Sequence, residues 1–366
     1  MSYKSNFKKI NIEHQQINSN AIKFCKKFID GNSPRYVFGC NSYGKSIADK
    51  IKIKGYIDDE IKENYYYGKK VFKSNEVEKV ALVVSAVVLG RPLTALSCLK
   101  KHSLSALDYF AFQKYSGLDL KNVVCLDEFN NDFYNNLNHY KWIFDNLADA
   151  QSKKILNKII NFRISKDLFF MKDFIDSQHR QYFEPFLKLQ ETGETFIDVG
   201  CYDGFTSIEF IKRFPNYKSI HIFEPEPNNM KVVKKNLSKF KNISYHPYGA
   251  SDKNQSLKFK SAGSASIIND HGDISIKVKK IDDLIKNSCS FIKMDIEGGE
   301  IAAINGASKT ICRFNPRLAI SVYHKVNDLW KIPQEILKIN SNYKIYLRHY
   351  TEGFTETVMF FVPKNF

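Results

Sequence analysis

No two cysteines of this chain stand in a CxxC spacing, and the seven present, at 25, 40, 98, 125, 201, 289 and 312, are an odd number, so neither a zinc ribbon nor a fully paired disulfide framework finds support. Long apolar runs are also missing. The longest, over residues 80–89, is too short to span a bilayer, and the first ten residues are polar and basic without the apolar centre of a secretion signal. These absences lead to the expectation of a cytoplasmic protein in a reducing compartment, touching a membrane at most loosely and through lysines. There is no repeat at a fixed period and no low-complexity tract, and the glycine turn at 200–204 departs from the G-x-G-x-x-G pattern that a nicotinamide dinucleotide requires.

Acidic residues are the scarcer charge: 39 Asp and Glu stand against 55 Lys and Arg, for a formal charge of +16. Much of the excess is lysine on helical stretches, as at Lys231, Lys234, Lys235, Lys239 and Lys241. That pattern reads as a solvated helix face, with attraction to an anionic partner (sugar nucleotide, nucleic acid or lipid headgroup) as the alternative. At 366 residues the chain can hold two domains, each with its own core.

Residues 1–118 read as a small Rossmann-like α/β domain, with a helix over 17–31, strands over 35–39, 55–59 and 80–88, and a helix over 45–54. The polar, aromatic stretch 119–175 reads as a helical connector. Over 176–366 the alternation restarts, with strands at 196–199, 219–223, 243–247, 274–278, 290–294 and 317–322, helices at 205–213, 227–238 and 299–308, and a closing pair at 344–348 and 357–362. The expected fold class is α/β, with a doubly wound sheet.

In a chain poor in acids, carboxylates still recur at successive strand ends, where open α/β sheets bind ligands. Phe196-Ile-Asp-Val-Gly-Cys-Tyr-Asp-Gly204 sets Asp198 before Gly200, and Asp203 beside Gly204, at a strand-to-helix turn. Two carboxylates there repel a pyrophosphate and attract a cationic cofactor; S-adenosylmethionine, with a sulfonium and an ammonium against one carboxylate, suits them. Glu224 ends the next strand, placed for ribose hydroxyls, and Asp252 in Gly249-Ala-Ser-Asp252 would face the adenine edge. Each has a plainer reading as well: Asp198 as a turn cap, Asp203 as a helix N-cap, Glu224 as a surface acid and Asp252 as an Asx-turn residue.

The segments FIDVGCYDG, FEPEP, YGASD, FIKMDIEGGEIAAINGA and SVYH together resemble the FkbM family of S-adenosylmethionine-dependent methyltransferases, over roughly residues 178–362. The resemblance implies a class I methyltransferase fold, Rossmann-like, with a seven-stranded sheet whose last strand is antiparallel. It also implies O-methylation of a hydroxyl, often on a sugar or a secondary metabolite, and a role for Gln178, Arg180 and Tyr182 in covering the cofactor. One departure is clear: many relatives carry Ala-Asn in the first loop, where this chain has Cys201-Tyr202-Asp203.

Methyl transfer to an alcohol is an in-line displacement that needs alignment of acceptor, methyl and sulfur, and removal of the hydroxyl proton. Asp295 and Glu297, in Lys293-Met-Asp-Ile-Glu-Gly298, and His324, at the end of the following strand, are the candidate catalytic residues. Two functional readings compete: a direct general base at His324 or Asp295, which is preferred, or a divalent metal held by Asp295, Glu297 and His324. Glu297 as a helix cap is the plain reading. The cluster Ser261-Ala-Gly-Ser-Ala-Ser266 reads as a flexible loop or as one facing the acceptor.

At the front, Val37-Phe-Gly-Cys-Asn-Ser-Tyr-Gly-Lys45 and Gly55-Tyr-Ile-Asp-Asp59 resemble the sugar-nucleotide-binding domain of bacterial sugar N-acyltransferases. There Gly39, Ser42, Gly44 and Lys45 would receive a phosphate and Asp58 a ribose or uracil edge, a degenerate packing domain being the alternative. The expected acceptor is a hydroxyl of a sugar, a nucleotide-linked sugar or a surface glycan. RNA or other nucleic-acid methylation and a non-catalytic scaffold in glycan assembly are the alternatives, and the Asn/Asp-Pro-Pro-aromatic motif of amino-directed base methylation is absent.

Overall fold

In the computed structural model, which describes residues 10–13, 17–123, 125–260, 267–268 and 274–365, the chain divides into two compact units. The front unit comprises residues 1–135, 154–178 and 349–355; the second comprises 136–153, 179–348 and 356–366. The stretch expected as a connector is thus shared between the units, because its helices contribute to both cores.

The front unit holds a six-stranded sheet of β1 (Arg35–Phe38), β2 (Gly55–Ile57), β3 (Tyr65–Tyr66), β4 (Lys69–Phe72), β5 (Leu82–Ser85) and β6 (Ser105–Asp108), in the order β3-β4-β2-β1-β5-β6. Only β3 runs antiparallel to its neighbour; β1 pairs in parallel with β2 and β5 on either side. Being central, β1 and β5 are buried on both faces, which is why they read as continuous apolar runs. Helices α1 (Ser19–Asp30), α2 (Ser42–Ala48), α3 (Pro92–Lys101), α4 (Tyr109–Tyr115) and α5 (Phe129–Asn135) complete it. In α1 the buried residues Ala21, Cys25 and Phe28 recur at helical spacing, and the Phe28 ring meets Phe112 of α4 at 5.2 Å.

The segment 349–355 joins this unit from far along the chain. Its Glu352 carboxylate accepts from the Thr94 backbone N–H at 2.7 Å and hydroxyl at 2.6 Å in the first turn of α3, while the Glu352 N–H donates to Gly90 O. A carboxylate at that helix start satisfies an otherwise unpaired donor. A Cβ at Gly353 would lie 2.9 Å from Val88 O, so the close approach requires glycine.

The second unit contains α6 (Leu137–Asn146) and the start of α7 (Ala150–Ser165). Its main sheet is built from β7 (Thr195–Val199), β8 (Ser219–Phe223), β9 (Ile243–His246), β14 (Phe291–Met294), β15 (Arg317–Ser321), β16 (Tyr343–His349) and β17 (Thr357–Pro363), in the order β16-β17-β15-β14-β7-β8-β9. Neighbours from β9 to β15 are parallel, and β17 runs antiparallel to β15, as expected. Phe196 of β7 stacks on Phe291 of β14 at 5.1 Å and on Phe210 at 4.5 Å, within α8 (Phe205–Arg213), which fixes sheet to helix. Helix α9 (Pro227–Asn236) follows β8.

Between β9 and β14 lies a second, four-stranded sheet of β10 (Gly249–Ala250), β11 (Gln255–Lys260), β12 (Ile267–Ile268) and β13 (Ile274–Lys279), ordered β10-β13-β11-β12. Only β13 was expected. Helix α10 (Ile281–Leu284) precedes β14, and the expected helix over 299–308 is instead α11 (Glu300–Asn305), followed by α12 (Ser308–Phe314) and, after β15, α13 (Asp328–Ile339). The break falls at Gly306, where a Cβ would lie 1.9 Å from Ser251 O. The first crossover from β7 goes to β8 on one side, and the chain later returns to β14 on the other, so the sheet order reverses at β7 and its carboxyl end faces the crevice that such sheets use for ligands. Among the described residues no helix is long and apolar enough to cross a membrane.

Candidate active site

The loop after β7 is shaped by backbone demands. Gly200 and Gly204 have φ of +77° and +85°, and a Cβ on Gly200 would lie 1.9 Å from Asp295 O, so this strand end and that of β14 touch backbone to backbone. Tyr202, also at positive φ, donates its N–H to Glu224 Oε2 at 3.1 Å, and the other Glu224 oxygen accepts from Glu226 N at 3.0 Å. Burial pushes the Glu224 carboxyl up, against these backbone donors. Glu224 therefore straps the loop to the end of β8 and keeps lone pairs for a hydroxyl.

Asp198, expected at the cofactor, has partners within the chain. It is fully buried, its Oδ2 accepting from Ser207 at 2.7 Å and its Oδ1 lying 3.2 Å from Lys293 Nζ. The ion pair ties the start of this loop to β14. Lys293 Nζ also donates to Gly200 O at 2.5 Å, and although burial lowers its pKa, the carboxylates of Asp198 and Asp295 outweigh that and raise it. Asp203 is half-buried and accepts from Phe205 N at 2.9 Å, one residue ahead of Gly204, which is the N-cap of α8. Asp252 accepts from Ser251 Oγ at 3.3 Å.

At the ends of β14 and β15 the three expected catalytic residues come together. His324 Nε2 lies 3.3 Å from Asp295 Oδ1 and 3.6 Å from Glu297 Oε2, and its Nδ1 lies 2.9 Å from Glu300 Oε1. Burial opposes the imidazolium, but Glu300, Asp295 and Glu297 together push its pKa up to about 10. Three carboxylates thus surround the ring, two facing Nε2 and one facing Nδ1. Burial, opposed by His324 and reinforced by Asp295 and Glu300, pushes Glu297 up to about 7.

Sequence reasoning missed the shell around this cluster. Tyr182 donates its hydroxyl to Asp295 Oδ2 at 2.7 Å, and Tyr323 lies 3.3 Å from both Asp295 Oδ1 and Glu356 Oε1. Glu356 also accepts from Gln181 Nε2 at 2.5 Å and is pushed up to about 7, by burial and then by Asp295. Burial, with Asp295 and Glu356, raises both phenols, which keeps them as donors. Of the three residues expected over the cofactor, Tyr182 is buried here, whereas Gln178 and Arg180 are exposed. Tyr323 and Glu300 lie inside the motifs SVYH and KMDIEGGE, but Glu356 carries no local signal. The serine cluster 261–266 lies outside the described residues.

In the front unit the residues expected to hold a phosphate have partners of their own. Asn41 Oδ1 accepts from Tyr43 N at 2.9 Å and Gly44 N at 3.0 Å, closing the start of the seven-residue α2. Lys45 pairs with Asp49 at 2.5 Å, Ser42 accepts from Lys121 at 2.6 Å, and Asp58 accepts from the backbone of Cys40, Glu60 and Ile61. Gly39, at φ +108°, and Gly44, whose Cβ would lie 2.5 Å from Gly39 O, allow the loop to fold on itself.

Residues 198–346 match the family model described as the methyltransferase FkbM domain, so the chain carries a methyltransferase domain of that kind. The crystal structure of methyltransferase FkbM from Methylobacillus flagellatus is similar in fold over both units: TM-score 0.74 at 21% identity, covering 94% of this chain and 93% of that one. The second unit is accordingly a class I methyltransferase fold. Smaller likenesses include precorrin-6y C5,15-methyltransferase from Geobacter metallireducens (15% identity, 52% of this chain and 92% of that one, TM-score 0.31). Another is Aeropyrum pernix fibrillarin in complex with natively bound S-adenosyl-L-methionine (10% identity, 47% and 67%, TM-score 0.32). No curated protein matches the chain in sequence. The expected likeness of the front unit to sugar N-acyltransferases finds no support among these comparisons.

Proposed function

We propose that the second unit is an S-adenosylmethionine-dependent O-methyltransferase acting on a hydroxyl of a sugar, nucleotide-linked sugar or glycan. The observation that carries this reading is the adjacency of two strand-end features: the glycine loop strapped by Glu224, and the Asp295, Glu297 and His324 cluster beside it at the ends of β14 and β15. The first suits the ribose hydroxyls of the cofactor. The second suits an alcohol whose proton must leave.

When bound, S-adenosylmethionine supplies the methyl group and a sulfonium that leaves as a neutral thioether. The chain's own residues do the rest. Glu224 holds hydroxyls, the loop backbone sets the cofactor's approach, and Asp295, oriented by Tyr182, takes the proton as the acceptor oxygen forms its bond to the methyl carbon.

The test is incubation with methyl-labelled S-adenosylmethionine and a panel of nucleotide sugars, surface glycans and RNA, followed by location of the label. Label on a sugar hydroxyl is expected, and label on RNA alone would overturn the acceptor class. Asp295→Asn should lower kcat by about a hundredfold or more while leaving cofactor affinity within about threefold. Unchanged turnover in that variant would remove Asp295 from the chemistry.

A further inference from the structure

We propose that Asp295, Glu297 and His324 bind one divalent cation of the Mn2+ type, with open positions for adjacent oxygens of the acceptor. The three donor atoms lie within 4.8 Å of one another. Nε2 of His324 is 3.3 Å from one carboxylate and 3.6 Å from the other. Ligands about 2.1 Å from a common ion stand roughly 3–4 Å apart, which both separations satisfy.

The surroundings argue the same way. His324 is held from behind, its Nδ1 2.9 Å from Glu300, whose side chain is 2% exposed and also accepts from Ile296 N at 3.0 Å. A carboxylate on one ring nitrogen, with the other nitrogen turned toward further carboxylates, is the carboxylate–histidine–metal arrangement that orients a ligating imidazole. Asp295 is oriented in its turn by Tyr182 and Tyr323, neutral donors that fix its direction without cancelling its charge. Glu297 adopts a left-handed backbone, φ +54°, in the turn that carries its carboxylate back toward His324.

One imidazole and two carboxylates suit first-row divalent ions over a purely oxygen-seeking one. Three protein ligands leave positions for oxygens of a polyol. The site itself stands on this geometry; only the ion's part in catalysis rests on the methyltransferase reading.

The test uses the full chain, stripped with a chelator and titrated with Mn2+, following loss of the free-ion electron paramagnetic resonance signal. One bound ion per chain is expected, with electron spin echo modulation from an imidazole nitrogen. Glu297→Gln should weaken binding at least about tenfold, and Glu300→Gln, which loosens the ring without removing a ligand, about ten- to hundredfold. No binding, binding without imidazole coupling, or equal binding by Glu297→Gln with a wild-type melting profile would each overturn the proposal. S-adenosylmethionine binding, measured by calorimetry on the same samples, bears on the preceding reading alone, so the two fail separately.

Discussion

Residues at the strand ends act chiefly through what they hold in place. Lys293 is the clearest case. With 3% of its side chain exposed, it neutralises Asp198, which is fully buried, so Lys293→Met strands a carboxylate in the interior. Denaturant unfolding should show a loss of about 3–5 kcal/mol, part of which returns when Asp198→Asn is added. Gly200→Ala asks for a left-handed alanine with its Cβ against Asp295 O, and should cost at least about 2 kcal/mol by the same measurement. Tyr182→Phe keeps the ring and removes the donor to Asp295; steady-state kinetics should show kcat down about tenfold with cofactor affinity retained. Asp295, Glu297 and His324 were legible because they sit at the ends of strands that announce themselves. The buried pairing of Asp198 with Lys293 was not, since the two meet only when β7 and β14 align in register, Asp198 directly opposite Lys293. Glu356 was illegible for the same reason, reaching the cluster from the start of β17 with no motif around it.

Elements were legible where alternation and punctuation agreed. Helix α8 starts directly after Gly204 as expected, and β7, β8, β14 and β15 are apolar runs ended by an acid, a glycine or a polar turn. The β10–β13 sheet escaped because β10 is two residues long and β11 alternates polar and apolar residues over a strand whose partner lies further along the chain. Helix α2 shows how a cap settles a functional question. Asn41 already occupies the donors that a phosphate would need. Asn41→Ala should therefore cost about 1 kcal/mol of stability in thermal or urea unfolding, with methyl transfer unchanged.

At the scale of the whole molecule, pH acts through histidines buried as neutral rings. Burial, reinforced by the charge of Arg163, lowers His349 to about 3. His246 falls to about 4, by burial and then by His221 and Lys279. Below pH 6.5 the unfolded chain takes up protons on these two rings that the folded one refuses, a contribution that lowers stability by up to about 1.4 kcal/mol per pH unit for each ring as pH drops toward 4, and that the raised carboxyls of Glu297 and Glu356, which take up protons in the folded chain first, oppose. Melting temperature against pH, with His349→Gln flattening the acid limb, checks this. A two-unit division was foreseeable from length, but the interleaving of the units along the chain was not. The segment 349–355 belongs to the front unit, and its Glu352 closes the start of α3 while Gly353 packs on Val88 O. During synthesis, then, the front unit waits for residues 349–355, which are made only after most of the second unit. Its nascent form carries an open helix end until residue 355 has emerged, so a chain stopped short of that point leaves neither unit complete.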